Sequence, residues 1–318
     1  MKGDMNMARF VKISSLCPAP YIVDPQLDYS IAVDEMINHW NNQFSQVLPD
    51  KPDLIITHEA CDRSPVYSLE SRLEYYRVRG NKVRDFMRKV AAENNCYIAY
   101  SAAREMLDGT WRNSTQIIDR NGNIAGIYDK NHLVIEENTE AGIAYGKDAP
   151  IIKCDFGTIG CAICFDLNFE ELRLKYAKAR PDLIVFSSMY HGGLMQNYWA
   201  YSCRAHFAGS IAGLQGTIIS PVGETIAKTT NYFKYITVDV NLDCEVIHLD
   251  WNWDKIRAAK EKYGSKFKMS DPGYLGAVLI SSESDEVTIN DIIKEFDFEL
   301  LDDYFNRSLA HRHENLVP

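Results

Sequence analysis

Short apolar runs separated by stretches of helical periodicity dominate most of this 318-residue chain, and that alternation limits what it can fold into. Leu54–Thr57, Tyr97–Ala99, Ile159–Ile163 and Leu183–Phe186 are too short for helices and lack polar alternation. They read as strands buried on both faces. Between them Val33, Met36, Ile37, Trp40, Phe44 and Val47 recur at helical spacing, as do Val83, Phe86, Met87 and Val90. Hairpin signals interrupt the alternation. Asn121-Gly122 separates Ser114–Ile118 from Ile124–Tyr128, while Phe156-Gly157 and Val222-Gly223 punctuate two similar pairs. Strand–helix alternation mixed with hairpins predicts an α/β domain with mixed sheets.

From about Cys244 the character changes. Trp251, Trp253 and a basic stretch from Lys255 to Lys268 precede a last apolar run, Leu275–Ile280. Ile292, Ile293, Phe296, Leu300, Leu301, Tyr304 and Phe305 then give a wide apolar stripe that predicts one final helix. Such a stripe packs either on its own domain or on a second subunit. The expected organisation is therefore a disordered lead-in over residues 1–9, a domain over 10–243, and a C-terminal extension over 244–318. That extension is expected to belong to the same domain and to subunit contacts.

The formal net charge of −10 argues against nucleic acid or an anionic membrane as partner, because both are polyanions. No apolar run approaches the roughly 18 residues of a membrane span, and the start lacks the basic–apolar–small arrangement of a signal peptide. The eight cysteines are scattered, mostly in apolar stretches. Cys161 and Cys164 have C-x-x-C spacing, but there is no second pair. Buried free thiols in a reducing, cytoplasmic setting are expected.

Three elements carry chemistry. In Asp53-Leu-Ile-Ile-Thr-His-Glu-Ala60 a buried strand ends in His58-Glu59. Catalytic groups gather at the carboxyl ends of such strands, and a partly desolvated carboxylate there can act as a general base. In Gly157-Thr-Ile-Gly-Cys-Ala-Ile-Cys-Phe-Asp166 a strand runs into a turn, and Asn168 with Glu171 has the spacing of a capping box that opens a helix. Cys164 then lies between strand end and helix start, where helix-end potential favours thiolate. The Phe165 N–H is placed to stabilise an oxyanion. Tyr128-Asp-Lys-Asn-His132 ends the second strand of the hairpin, where the Lys130 ammonium can hold developing negative charge. Each element alone has a plainer reading: a Glu emerging into solvent, a structural cysteine, a surface lysine. A Cys–His couple of Cys164 with His58 or His132 is a rival arrangement.

Together the three elements resemble the nitrilase superfamily of carbon–nitrogen hydrolases, which carries Glu, Lys and Cys in this chain order. The elbow reads Gly160-Cys-Ala-Ile-Cys164-Phe-Asp-Leu-Asn-Phe-Glu-Glu171. Asp182–Ser188, Trp199, Cys203-Arg204-Ala205 and Ser220-Pro-Val-Gly-Glu-Thr-Ile-Ala227 resemble later family segments. The match runs from about residue 10 to 243. It implies an α-β-β-α sandwich whose subunits pair into a four-layer block, a homodimer or higher homo-oligomer, with no cofactor and no metal. It also implies Cys164 as nucleophile, Glu59 as proton shuttle, and Lys130 with the Phe165 amide around the oxyanion. Family members often add a second Glu. Glu140, in Thr139-Glu-Ala-Gly-Ile-Ala-Tyr-Gly146, fits best by its distance to the following Gly, and the nearby Glu136 and Glu137 stay open as alternatives.

The chain departs from the family pattern at Glu170, where Pro is usual, and lacks a Gln in Val11–Cys17. Cys164 is followed by Phe-Asp rather than the Trp-Glu of nitrilases, which favours a linear amide or N-carbamoyl substrate over a nitrile. Leu167-Asn168 replaces the arginines that grip a carboxylate in the branch acting on N-carbamoyl-D-amino acids. Tyr190 and His191, after the strand ending at Ser188, are candidate substrate contacts. Nitrile hydrolysis, a Cys–His hydrolase and a non-catalytic family member are the alternatives. The intact Glu59, Lys130 and Cys164 argue against the last.

Overall fold

A computed structural model describes residues 9–316. Apart from Arg9, the expected disordered lead-in over 1–9 lies outside the described residues. The chain divides into two compact units, one spanning Val11–Val240 and the other running from Asn241 onward together with Phe10.

The larger unit begins with β1 (Phe10–Leu16), α1 (Tyr29–Phe44), β2 (Leu54–Ile56), α2 (Arg72–Arg79), α3 (Lys82–Asn94), β3 (Tyr97–Glu105), β4 (Trp111–Ile118) and β5 (Ile124–Asp129). It continues through α4 (Ile135–Thr139), β6 (Ile152–Cys154), β7 (Gly157–Ile163), α5 (Glu170–Ala179), β8 (Leu183–Ser188), α6 (Leu194–Cys203) and β9 (His206–Ile211). It closes with β10 (Thr217–Ile219), β11 (Thr225–Lys228) and β12 (Tyr235–Asn241). Among the described residues these strands form two six-stranded sheets, β12-β1-β2-β3-β4-β5 and β11-β10-β9-β8-β7-β6. Each has a parallel centre, β1-β2-β3 in one and β7-β8-β9 in the other. Antiparallel hairpins extend them, β3-β4-β5 on one side and β6-β7 on the other.

The buried apolar runs follow from this arrangement, because parallel strands covered on both faces have no solvent side to alternate toward. Val33, Met36, Trp40 and Phe44 of α1 and Val83, Met87 and Val90 of α3 bury their helical stripes in one core cluster. Helix α3 packs on β3 and β4, while α6 packs on β9 and β10 with α5 beside it. The inner faces of the sheets meet through small hydroxyl side chains. Ser15 Oγ donates to Gly209 O at 2.8 Å, Ser210 Oγ to Leu16 O at 2.5 Å, and Ser187 Oγ to Thr57 O at 2.8 Å. The result is the expected α-β-β-α sandwich. The Asn121-Gly122 hairpin forms as anticipated, with Gly122 at φ 76° and Asp119 Oδ1 accepting from the Asn121 and Asn123 N–H groups, both at 2.8 Å.

One local expectation fails. Asn168 does not open a capping-box helix; residues Cys164–Asn168 form a 3-10 turn and α5 starts at Glu170. The tighter turn brings Asp166 inward, where its carboxylate accepts from the Ile163 N–H at 3.0 Å, and Glu171 bonds His132 instead of a helix end.

The smaller unit contains β13 (Cys244–His248), α7 (Trp253–Tyr263), β14 (Phe267–Ser270), β15 (Ala277–Ser282), α8 (Ile289–Phe296) and α9 (Leu301–Glu314). Its antiparallel sheet has the order β13-β15-β14. The single final helix expected from the stripe is two helices, divided at Asp297, which takes a left-handed conformation (φ 54°). Ile292, Phe298 and Leu301 are buried, and Ile292 and Phe298 join Ile247, Phe267 and Ile280 in a core of this unit. Most of the stripe therefore packs on its own unit, leaving Phe305 and Leu309 exposed. The basic stretch is matched in part by acids, with Lys255, Lys262 and Lys266 paired to Asp297, Glu295 and Glu286.

Strand β7 carries the nucleophile candidate, and its position rests on Tyr176. The Tyr176 hydroxyl donates to Cys161 O at 2.7 Å and accepts from the Cys161 N–H at 3.1 Å. The ring lies so close to Gly160 that a Cβ there would meet it at 2.8 Å. Gly160→Ala should therefore destabilise the fold by about 1–3 kcal/mol through overpacking alone. Chemical denaturation with an unchanged slope checks this; a neutral change would mean that Tyr176 is not locked.

Candidate active site

The carboxyl ends of β2, β5 and β7 place Glu59, Lys130 and Cys164 together. Two come from one sheet and the third from the facing sheet. Glu59 follows β2 in a turn held by Cys61, whose N–H donates to Ser101 O at 3.0 Å and whose carbonyl accepts from Trp40 Nε1 at 2.7 Å. Lys130 continues β5; its N–H donates to Asn113 O and its carbonyl accepts from the Gly146 N–H, both at 2.8 Å. Cys164 begins the turn after β7 at φ 48°, and Ala60, next to Glu59, sits at φ 47°. Left-handed backbone at non-glycine residues costs of order 1–3 kcal/mol and persists only where surrounding structure imposes it.

The three side chains line one cavity. Lys130 Nζ lies 2.8 Å from Glu59 Oε1 and 2.7 Å from Glu137 Oε2, and the lysine is only 1% exposed. Asn113 Nδ2 bridges the same carboxylates, at 2.8 Å from Glu59 Oε1 and 3.0 Å from Glu137 Oε1. The Cys164 thiol shares the cavity with Glu59 and Met189, and Glu59 and Cys164 each shift the other's proton affinity. Asp166 ties the two sheets' contributions together. Its Oδ2 accepts from Tyr128 Oη at 2.7 Å, and its Oδ1 from the His132 N–H at 2.8 Å. The elbow holding Cys164 and the segment holding Lys130 thus share one buried carboxylate.

Electrostatics follow from burial and pairing. Burial raises a carboxyl group's proton affinity, but the Lys130 ammonium, the thiol and the Asn113 amide outweigh it and hold Glu59 below its ordinary value. Burial works against the Lys130 ammonium, yet Glu59 and Glu137 push its proton affinity above the usual lysine range. Burial and then the Glu59 carboxylate push the Cys164 thiol up to about 12, despite Lys130 and the Met189 N–H. The expected thiolate-favouring helix end is thereby overturned, since a short 3-10 turn leads from Cys164 and a carboxylate faces it. At rest Cys164 is therefore a thiol beside an ionised Glu59.

Other expected residues fall elsewhere. The carboxylate on Lys130 belongs to Glu137, not Glu140. Glu140 caps the end of α4 and is exposed, whereas Glu137 is turned inward by accepting from the Val134 N–H at 3.0 Å. Met189, rather than Tyr190 or His191, is what the loop after β8 adds to the cavity wall. His191 Nδ1 accepts from the Gly193 N–H at 3.1 Å. The Phe165 ring is partly exposed and packs edge-on against Phe169, while its backbone N–H directly follows Cys164. Neither rival histidine is bonded to the sulfur. Burial lowers His58 to about 4, and its Nδ1 pairs with Glu59 O at 2.9 Å. His132 is held by Asp166 at 2.9 Å and Glu171 at 2.7 Å.

Glu59, Lys130, Glu137 and Cys164 line a cavity of about 200 Å³, with Ala103, Val134, Ala141 and Ile143 as apolar wall. Asn113, Arg63 and Arg72 also line it, and sequence reasoning missed all three. Asn113 lies in β4 just before the run Ser114–Ile118 that the sequence marks as a strand, and nothing in its neighbours flags it. Among the described residues, no group of three or more His, Cys, Asp or Glu is arranged to hold a metal ion, and no helix is long and apolar enough to cross a membrane.

Residues 25–245 match the family model described as carbon-nitrogen hydrolase. An omega-amidase of Xenopus tropicalis is 22% identical over 213 residues, covering 59% of this chain and 77% of that protein. A carbon-nitrogen hydrolase from Helicobacter pylori superposes with a TM-score of 0.64 at 16% identity, covering 74% of this chain and 90% of that one. An amidase from Nesterenkonia does so with a TM-score of 0.59 at 15% identity, over 74% and 92%. At such identities the structural likenesses speak for the fold, and the family match spans more than half of the chain. The chain belongs to the carbon–nitrogen hydrolase family, within the nitrilase superfamily.

Proposed function

We propose that the protein hydrolyses the carbon–nitrogen bond of a small linear amide or N-carbamoyl compound, with Cys164, Glu59 and Lys130 doing the chemistry. The observation that carries this reading is Lys130 Nζ lying 2.8 Å from Glu59 and 2.7 Å from Glu137 in the cavity that also holds Cys164. Buried ammonium and carboxylate groups are costly unless they are used. The amidases among the relatives and structural neighbours support an amide over a nitrile.

In the first half-reaction Glu59 takes the thiol proton as Cys164 Sγ bonds the substrate's carbonyl carbon. The oxygen becomes an oxyanion held by Lys130 Nζ and the Phe165 N–H. Glu59 then delivers its proton to the leaving nitrogen, the carbon–nitrogen bond breaks, and a thioester remains. In the second, a water gives its proton to Glu59 and its oxygen bonds the same carbon. The carbon–sulfur bond breaks, and the proton returns to sulfur. Glu137 fixes and neutralises Lys130, the positioning role first assigned to Glu140.

Cys164→Ala should abolish ammonia release, and Glu59→Gln should lower kcat by about 10²–10⁴, the usual worth of a general base. Glu137→Gln should also lower kcat, while Glu140→Gln stays within about twofold of wild type, since ordinary surface substitutions perturb little. Steady-state ammonia release from a panel of amides, N-carbamoyl amines and nitriles reads all four. Turnover by Cys164→Ala would sink the mechanism.

The pH profile has a definite sign. Glu59 must be ionised to accept the proton, and its affinity is depressed, so the base is fully present above the ordinary carboxylate range and lost only below it. Lys130 stays protonated through neutral pH, and the thiol stays protonated until about 12. kcat/KM should therefore be flat between about pH 5.5 and about pH 9. A limb near about 6.5 would point to a histidine couple instead.

A homodimer in the cytoplasm belongs to the same reading. Exposed Leu174 and Tyr198 on α5 and α6 of the larger unit, and Phe305 and Leu309 on α9 of the smaller, are apolar surface of the kind a second copy covers. Light scattering at micromolar concentration should give a dimer mass or larger; a monomer would overturn it.

A further inference from the structure

The active-site cavity holds two cations that the amide chemistry does not use. Arg63 follows Glu59 by four residues and Arg72 opens α2, and both side chains line the cavity. Arg63 is 92% buried in effect, at 8% exposure, and its Nε has no hydrogen-bond partner among the described residues; Arg72 Nε is likewise buried and unpartnered. The polar contact of Arg63 is a long one, Nη1 to Ser64 O at 3.5 Å.

The carboxylates that could have neutralised this pair are committed elsewhere. Asp62, next in sequence to Arg63, turns to Arg79 Nη1 at 2.7 Å and to the Tyr100 hydroxyl. Glu59 and Glu137 both serve Lys130. Burial and then the like charge of Arg63 depress the proton affinity of Arg72, as expected of two guanidiniums facing one space. A buried guanidinium left unpaired is destabilising, and proteins keep such groups where a ligand completes them.

Resting on the amide-hydrolase reading above, we propose that the substrate is a small amide bearing a carboxylate at its far end, and that Arg63 and Arg72 hold that carboxylate. Planar guanidinium forks match a carboxylate in two-pronged fashion. The charge balance agrees: the cavity's ionised groups are Glu59 and Glu137 against Lys130, Arg63 and Arg72, so a mono-anionic guest brings it to zero. Size agrees as well, because about 200 Å³ falls below the roughly 300 Å³ at which pockets for drug-sized ligands begin. The pair comes from the segment after β2, not from the stretch after the nucleophile where Leu167-Asn168 stand.

The test compares ammonia release from the monoamide of a dicarboxylic acid of about four or five carbons with that from a neutral amide of equal length. Wild type should favour the acid in kcat/KM, and Arg63→Met or Arg72→Met should each shrink that preference by roughly 10- to 100-fold, mainly through KM. Arg72→Lys should restore part of it. Equal turnover of the two amides by wild type, or a preference unchanged in both variants, would overturn the proposal while leaving the amide-hydrolase reading intact. Should no amide be turned over, calorimetry on the Cys164→Ala protein still decides the matter. Saturable binding of the acid amide, weakened by Arg72→Met, supports the site; equal binding with and without Arg72 overturns it. Melting guards against a purely structural role: Arg63→Met should keep or raise Tm without ligand, because an unpaired buried charge is removed, whereas a structural arginine would lose Tm.

Discussion

A lysine ammonium buried between two carboxylates is the constraint on which the rest of the site depends. Lys130 is almost fully buried, and such a charge is tolerated only with close, well-directed partners. Glu59 and Glu137 supply them at 2.8 and 2.7 Å, and Asn113 ties the two carboxylates to each other. Each partner comes from a different stretch: the end of β2, the short helix α4, and an inward position of β4. The cluster therefore forms only when strand register, hairpin turn and helix α4 are all in place. Removing one member would leave a buried charge uncompensated, which is why the group behaves as a unit.

The facing sheet has to deliver Cys164 to that cluster, and polar contacts set how closely it comes. Serine hydroxyls reach across to backbone carbonyls in both directions, which bulky apolar side chains at those positions would prevent. Asp166 then fixes the elbow by accepting from its own Ile163 N–H as well as from Tyr128 and His132 of the other sheet's hairpin end. Large apolar packing is left to the outer faces, where α1 and α3 cover one sheet. Stability and alignment are thus supplied by different layers of the same sandwich.

Much of this was legible in the chain because buried parallel strands and amphipathic helices leave strong periodic traces. Glu59, Lys130 and Cys164 each had a plainer reading alone and were picked out by their order and spacing together, which resemble the family's. Glu137 was not, because the distance to the following Gly favoured Glu140 and nothing in sequence separates Glu137 from Glu136. Only the turn in which Glu137 accepts from Val134 N–H aims it at Lys130. The apolar stripe near the C-terminus was read as one helix because its break is conformational: Asp297 takes a left-handed turn that a periodicity count passes over. Asn168 and Glu171 had capping-box spacing, but Asp166 drew the turn inward and His132 took Glu171. Arg63 and Arg72 were invisible for a deeper reason. Their significance lies in lacking partners, and sequence shows residues but not what they fail to touch.

The electrostatics of the site are best understood as the custody of one negative charge. At rest it sits on Glu59, kept there by Lys130 and by the high proton affinity of the Cys164 thiol. A thiolate held permanently beside two carboxylates would be disfavoured, and it would also be open to oxidation, which proceeds through the thiolate. In the proposed reaction, the proton moves to Glu59 as sulfur bonds a carbonyl carbon, and the negative charge passes through sulfur to the new oxyanion. Lys130 borders every station on that path, so the charge moves a short distance within one fixed field and the net charge of the pocket does not change. Little reorganisation is then required, which is the condition under which preorganised dipoles and ions accelerate a reaction most. In that proposed mechanism the high thiol affinity is no obstacle to attack; it makes the nucleophile conditional on a carbonyl being there to receive the charge.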